Sequence, residues 1–398
     1  MAANLMKRLR HMEFPDCTRE ALQQLIAIFN QDSLPGQPNS SEALALEICQ
    51  EFILFKTKGK PQKTLPPIEE LQLLQMLCTC FNEAQQKSKY QLFIAIFGPR
   101  ADNYSSALLT KLVSMALSIS CSSVLDCVAI WAQERSCGKR PVQQLTLRLV
   151  EDYCLLFIEP SVVFHKLPSI SPLFVCNFIT SVTMLYPLHD TRSIPPIGLL
   201  QHVTDWINTD CTLCCESVRQ ARIHNNYSSP IPGLTAWCVR GTIITKYLQN
   251  MASQPTSDNK IQTIELEKAL KLTGLLSKLH LGLLQSLQFC QTNINNMSQY
   301  LITVMNMLDI IHSLITVCRN CGVKPEDECL HNSLERFSQV IQVSAVSGCL
   351  GVETGKLREF QSIVFNSFPH NRLLQMVLAF LSGGQQPNRI TQQPPFRP

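Results

Sequence analysis

At 398 residues the chain is long enough for two or three domains or for one extended helical array. Charged residues make up only 16% and hydrophobic residues 45%, against about 25% charged in an ordinary globular protein. A formal net charge of +4, from 34 basic and 30 acidic residues, supplies no polyelectrolyte-scale attraction to nucleic acid.

The polar positions are filled largely by Gln, Asn, Ser and Thr, which are desolvated at less cost than ions. A surface so poor in charge argues that partners cover part of it. The eighteen cysteines are scattered singly among Leu, Ile and Val, and most read as small core hydrophobes.

Along the chain, Lys7, Arg8 and Arg10 near the start have no apolar stretch behind them, so no secretory signal is expected and the thiols should stay reduced in the cytosol or nucleus. Lys56 to Lys63 (Lys-Thr-Lys-Gly-Lys-Pro-Gln-Lys) form a basic loop between helices. Pro66 and Pro67 followed by Glu69 and Glu70 open a helix, because proline suits the first turn and acids favour the positive end of the dipole. Leu71, Leu74, Cys78 and Phe81 then recur at helical spacing. Pro141 opens another helix, striped by Leu145, Leu149, Tyr153 and Leu156. Ser171-Pro172 and Pro195-Pro196 open two more, over Phe174–Met184 and Leu199–Ile207.

No Asp, Glu, Lys or Arg lies between Lys166 and Asp190. Prolines leave only Leu173 to Tyr186 as a continuous helical run, shorter than the ~20 residues of a membrane span, and it is read as a buried helix. Ala252 to Lys260 form a polar linker and the boundary between an N-terminal lobe, 1–251, and a C-terminal lobe, 261–381. Pro325, Glu326, Asp327 and Glu328 begin a long helix carrying Leu330, Leu334, Phe337 and Ile341. Residues 382–398 are rich in Pro and Gln and are expected to be disordered. The fold class is therefore all-α, with about fifteen helices stacked as antiparallel neighbours in an irregular HEAT/ARM-like α-solenoid, in one array or two lobes. No segment is long enough to argue for a sheet, and short strands such as Gly351-Val352 are compatible with the pattern.

Two helical stretches stand out. Between Lys278 and Asp309, and between Arg336 and Glu353, histidine is the only ionisable type besides cysteine and tyrosine. A surface helix normally has a charged face. Enclosure accounts for one or two such helices; a partner has to account for the rest.

The chemistry is mostly exclusion. No G-x-G-x-x-G, G-x-x-x-x-G-K-[ST], H-E-x-x-H or G-x-S-x-G is present, so no catalytic residue, cofactor or small-molecule substrate is predicted. His189-Asp190 reads as a solvated loop. The sharpest alternative is a zinc-stabilised nucleic-acid-binding protein. Cys318 and Cys321 form a C-x₂-C pair, with Cys329 and His331 close behind, and Cys211, Cys214 and Cys215 form a second cluster far away. Against zinc, C-x-H is too tight for finger spacing, and Cys318 closes an apolar run where a buried thiol is ordinary. Lys56, Lys58, Lys60 and Lys63, with the Lys7–Arg10 cluster, could touch phosphate, but no aromatics are interleaved with them.

Several ordered blocks carry a resemblance: Glu70-Leu71-Gln72-Leu73-Leu74, Lys111-Leu112-Val113-Ser114-Met115-Ala116, Val124-Leu125-Asp126-Cys127, Asp152-Tyr153-Cys154 and Phe178-Ile179-Thr180-Ser181-Val182-Thr183. Ile194-Pro195-Pro196, Lys278-Leu279-His280-Leu281, Pro369-His370-Asn371, Leu373-Leu374-Gln375 and the closing Pro395-Phe396-Arg397-Pro398 complete the series. In this order and spacing, over residues 65 to 381 and the last few, the chain resembles the Integrator complex subunit 15 family. The resemblance implies a nuclear, non-catalytic helical adaptor that joins the module of subunits ten, thirteen and fourteen to the rest of the Integrator. That assembly cleaves nascent RNA and terminates RNA polymerase II transcription, with the endonuclease and phosphatase on other subunits. Implied partners are other Integrator subunits, with no membrane, and nucleic acid met at most indirectly or through the basic loops. Phe396 and Arg397 are the candidate partner-binding residues of the tail. The short Ala252–Lys260 linker and the curtailed tail depart from the pattern expected of vertebrate relatives.

Overall fold

A computed structural model describes residues 2–30, 39–56, 59, 62, 64–98, 103–155, 162–219, 228–253, 259–293 and 300–383. The helix-opening prolines act as their chemistry requires: Pro67, Pro141 and Pro172 each lie in the first turn of a helix, where the missing N–H costs nothing. Among the described residues there are eighteen α-helices and one pair of two-residue strands, an all-α fold. The count exceeds the expected fifteen because short or bent elements, such as Glu216–Arg219, leave little periodicity to read.

The chain divides into two compact units, Met1–Tyr186 with Pro195–Pro230, and Pro187–Ile194 with Ile231–Pro398. The Ala252–Lys260 stretch thus falls inside the second unit, between two of its helices.

The first unit holds α1 (Ala2–Arg10), α2 (Asp16–Asn30), α3 (Asn39–Ile48), α4 (Pro67–Glu83), α5 (Gln86–Phe97) and α6 (Asn103–Ser118). It continues with α7 (Ser122–Arg135), α8 (Arg140–Val150), α9 (Val162–Ile170), α10 (Pro172–Leu185), α11 (Ile197–Thr209) and α12 (Glu216–Arg219). Alternate helices pack on one another: α4 on α6, α6 on α8, α8 on α10, and α10 on α12, with α5 on α7 and α9 on α11. Such stepwise packing is what short turns between amphipathic helices produce.

One aromatic cluster holds the middle of this unit. Phe164 of α9 lies 5.0 Å from the Tyr153 ring, 5.7 Å from Phe178, 5.5 Å from His202 and 5.6 Å from Trp206. Trp206 donates from Nε1 to the Phe164 carbonyl at 2.9 Å, so the buried indole is satisfied. The α9–α10 pair bends by 118° at Ser171. No single helix among the described residues is long and apolar enough to cross a membrane.

The second unit holds α13 (Ile231–Ala252), α14 (Asn259–Asn293), α15 (Val304–Asn320), α16 (Glu328–Val346), α17 (Thr354–Ser367) and α18 (Arg372–Ser382). Helix α13 is its axis, packed by α14, α15 and α16, with Trp237 fully buried. Two residues each of β1 (Ile302–Thr303) and β2 (Leu350–Gly351) pair in parallel, tying the entry of α15 to the exit of α16. Phe337 of α16 meets Phe360 of α17 edge-on at 5.9 Å, α17 packs on α15, and α18 packs on α16 and α17.

Sixteen of the eighteen cysteines are free thiols, eleven of those sixteen buried, as expected of small core side chains.

Candidate interaction surface and groove

The charge-poor helices sort into two kinds. Helix α10 is enclosed: eleven of its fourteen residues are buried. Most of its polar groups are satisfied inside, with Asn177 Nδ2 donating to the Ala129 carbonyl at 2.8 Å and Thr146 Oγ1 to Ser181 Oγ at 2.8 Å, while Asn177 Oδ1 is buried without a hydrogen-bond partner among the described residues. Burial alone explains why this helix needs no charge.

Helices α14 and α18 are different. Leu279, Leu283 and Leu287 turn into the core from α14, while Leu281 on its outer face is 61% exposed beside exposed Gln285 and Gln288. Helix α18 buries Leu374, Val377 and Leu378 and leaves Met376 69%, Phe380 58% and Leu373 39% exposed. Positions 373, 376 and 380 follow the i, i+3, i+7 spacing of one helix face. This helix is therefore apolar on both sides, with Arg372 as its only charged residue. An open apolar face of that kind marks an interaction site.

Beside α13 the second unit carries a groove of about 660 Å³, walled by α13, α14, α16 and the α15–α16 turn. Arg336 lies in its wall, donating from Nη1 to the Cys238 carbonyl at 3.3 Å and from Nη2 to Ser277 Oγ at 2.7 Å. Among the described residues no carboxylate comes within ion-pair distance of this guanidinium, and burial lowers its pKa. His280, 5% exposed, meets Gln339 Oε1 through Nε2 at 2.8 Å. Because that oxygen only accepts, Nε2 carries the proton, and Nδ1 is a buried acceptor with no partner. Burial holds the ring's pKa down, which keeps it neutral. Exposed Glu328 and Glu335 and half-buried Asp327 also line the groove, together with the exposed Lys246.

The sequence-level candidates fare unevenly. Cys318 and Cys321 lie at the end of α15 and Cys329 in the first turn of α16, near enough that each thiolate would disfavour its neighbours. Burial pushes the Cys318 thiol up to about 12, with the neighbouring thiols adding to the rise. His331 follows Cys329 by two helical positions, on nearly the opposite face, and is exposed. Among the described residues no three His, Cys, Asp or Glu side chains gather where they could hold a metal ion. In the N-terminal basic cluster, Arg10 pairs with Glu51 at 2.6 Å and Arg8 pairs with Glu20, so two of its three charges are already engaged. Phe396 and Arg397, with the rest of the tail, and Lys58, Lys60 and Lys63 of the basic loop lie outside the described residues.

Two features escape sequence reasoning. The outer face of α18 was signalled by the nearly continuous apolar run from Leu373 to Leu381, too dense for a one-sided surface helix. The Arg336 groove had no signal, because helices distant in sequence build it.

Comparison with known proteins places this architecture. The family model described as Integrator complex subunit 15 matches residues 3–362. A Mus musculus protein named Integrator complex subunit 15 is 32% identical over 371 residues, covering 88% of this chain and 80% of its own. The Homo sapiens protein of that name is 32% identical over 362 residues, covering 84% and 77%. The Drosophila melanogaster one is 23% identical over 389 residues, covering 92% and 93%.

Proposed function

From the premise that the chain belongs to the Integrator complex subunit 15 family, we propose that it is a non-catalytic scaffold subunit of the Integrator complex, working in the nucleus. In this reading it links the module of subunits ten, thirteen and fourteen to the core, and through them supports snRNA 3'-end processing and termination by RNA polymerase II.

The observation that carries the reading is the outer face of α18, where Leu373, Met376 and Phe380 stand open to solvent on a helix that is already packed on its other side. Removing such a face from water stabilises an interface by roughly 25 cal/mol for each Å² of apolar area covered. A helix held rigidly by its own unit meets a partner with little further loss of entropy. The outward stripe of α14 offers a second, more polar contact of the same kind.

Affinity purification of the tagged full-length chain from nuclear extract tests this. Integrator subunits are expected in stoichiometric amounts, retained at high salt because an apolar contact is not screened. A monodisperse monomer with no Integrator subunit would overturn the reading.

A further inference from the structure

An arginine at the wall of a groove, with no carboxylate within ion-pair distance among the described residues, is an unmet charge. Arg336 offers five N–H donors, and its bonds to the Cys238 carbonyl and Ser277 Oγ engage two of them with neutral acceptors. A partly desolvated guanidinium gains most from a charged, bidentate acceptor. Buried His280 adds a second polar group with an unfilled position in the same wall.

The rim carries the opposite sign. Asp327, Glu328 and Glu335 outnumber Lys246 there, so a purely acidic ligand would be repelled at the entrance. The pattern asks for a ligand that is negative at one point and positive around it.

We propose that the groove between α13, α14 and α16 is a docking site for a short partner segment bearing one carboxylate flanked by basic residues. The carboxylate closes on Arg336, and the flanking bases meet Asp327, Glu328 and Glu335. This rests on the scaffold reading and names the chemistry of one partner element, at a site separate from the α18 face.

The test uses the full-length chain and two acetylated, amidated peptides, Lys-Ala-Glu-Ala-Lys and its Gln-centred counterpart. Binding is followed by NMR at the Arg336 Nε–Hε resonance, assigned by its loss in Arg336→Lys. The Glu peptide should shift that resonance saturably. The Gln peptide should bind about tenfold more weakly, the scale of one charge-assisted hydrogen bond. Because Arg336 also braces α13 and α14, a charge swap at the exposed rim supplies an independent arm. Glu328→Lys with Glu335→Lys should transfer the preference to Glu-Ala-Glu-Ala-Glu. Equal binding of the Glu and Gln peptides, no binding of either, or an unchanged preference in the double variant would overturn the proposal. A chain that still co-purifies with Integrator subunits while ignoring the peptides would overturn the groove and leave the scaffold reading standing.

Discussion

His202 and His280 are 4% and 5% exposed, and desolvation is the main reason that each is harder to protonate than a free imidazole. Their folded pKa values lie below the roughly 6.5 of an unfolded chain. Between the two values the unfolded chain binds more protons, so stability rises with pH there and is lost as pH falls through the unfolded value. The urea midpoint should therefore drop between pH 7.5 and 5.5. His202→Phe, which keeps a ring against Phe164 and Trp206, should flatten that drop; an equal drop in the variant would show that His202 does not contribute. Asp126 has the opposite sign, since burial raises its pKa and protonation favours the fold, but a carboxyl group acts at lower pH. Gly98 is a second residue-scale case. A Cβ there would lie 2.4 Å from the Ile94 carbonyl oxygen, a backbone atom that cannot swing aside. Gly98→Ala should cost about 1–3 kcal/mol of stability in chemical denaturation.

Individual helices show which parts of this fold the sequence carries. Leu330, Leu334, Phe337 and Ile341 of α16 all turn inward as their spacing requires, because a long amphipathic helix leaves one solution for its apolar stripe. Leu74, Cys78 and Phe81 of α4 do the same, but Leu71 of that stripe is 48% exposed. Periodicity could not separate α10 from α18. Both are apolar all round, and only the surrounding helices decide that one is enclosed and the other is left open. The two faces of α18 respond differently to substitution. Leu374→Ala or Leu378→Ala removes a fully buried side chain and should cost about 2–5 kcal/mol. Met376→Glu with Phe380→Glu should leave the unfolding free energy within about 0.5 kcal/mol, yet strip Integrator subunits from the purified tagged chain. Loss of fold in the double variant would mean that the outer face is structural.

At the level of the whole molecule the chain crosses between its two units at Tyr186–Pro187, Ile194–Pro195 and Pro230–Ile231. The eight residues 187–194 lie between α10 and α11 in sequence but belong to the second unit. Arg240 of α13 explains their allegiance. It is 6% exposed, meets His189 Nδ1 at 3.1 Å and donates to Ser313 Oγ at 3.0 Å. Burial lowers its pKa to about 10, still far enough above neutrality to stay charged. Among the described residues no carboxylate pairs with it, so its charge is offset by dipoles alone. Within the segment, Leu188 sits at a φ of 53°, a left-handed conformation that costs a branched side chain energy, although its side chain is fully buried. Such a residue stays in place only while its surroundings hold it there. Arg240→Met keeps the aliphatic stem but deletes the bonds to His189 and Ser313. Amide exchange in 187–194 and around Ser313 should then quicken about tenfold or more, the factor that one lost bond to a charged group implies. Amides of α4 to α8, which lie in the other unit, should be unchanged. Faster exchange in α4 to α8 as well would show that the two units open together, and that the segment transmits stability between them instead of merely belonging to one.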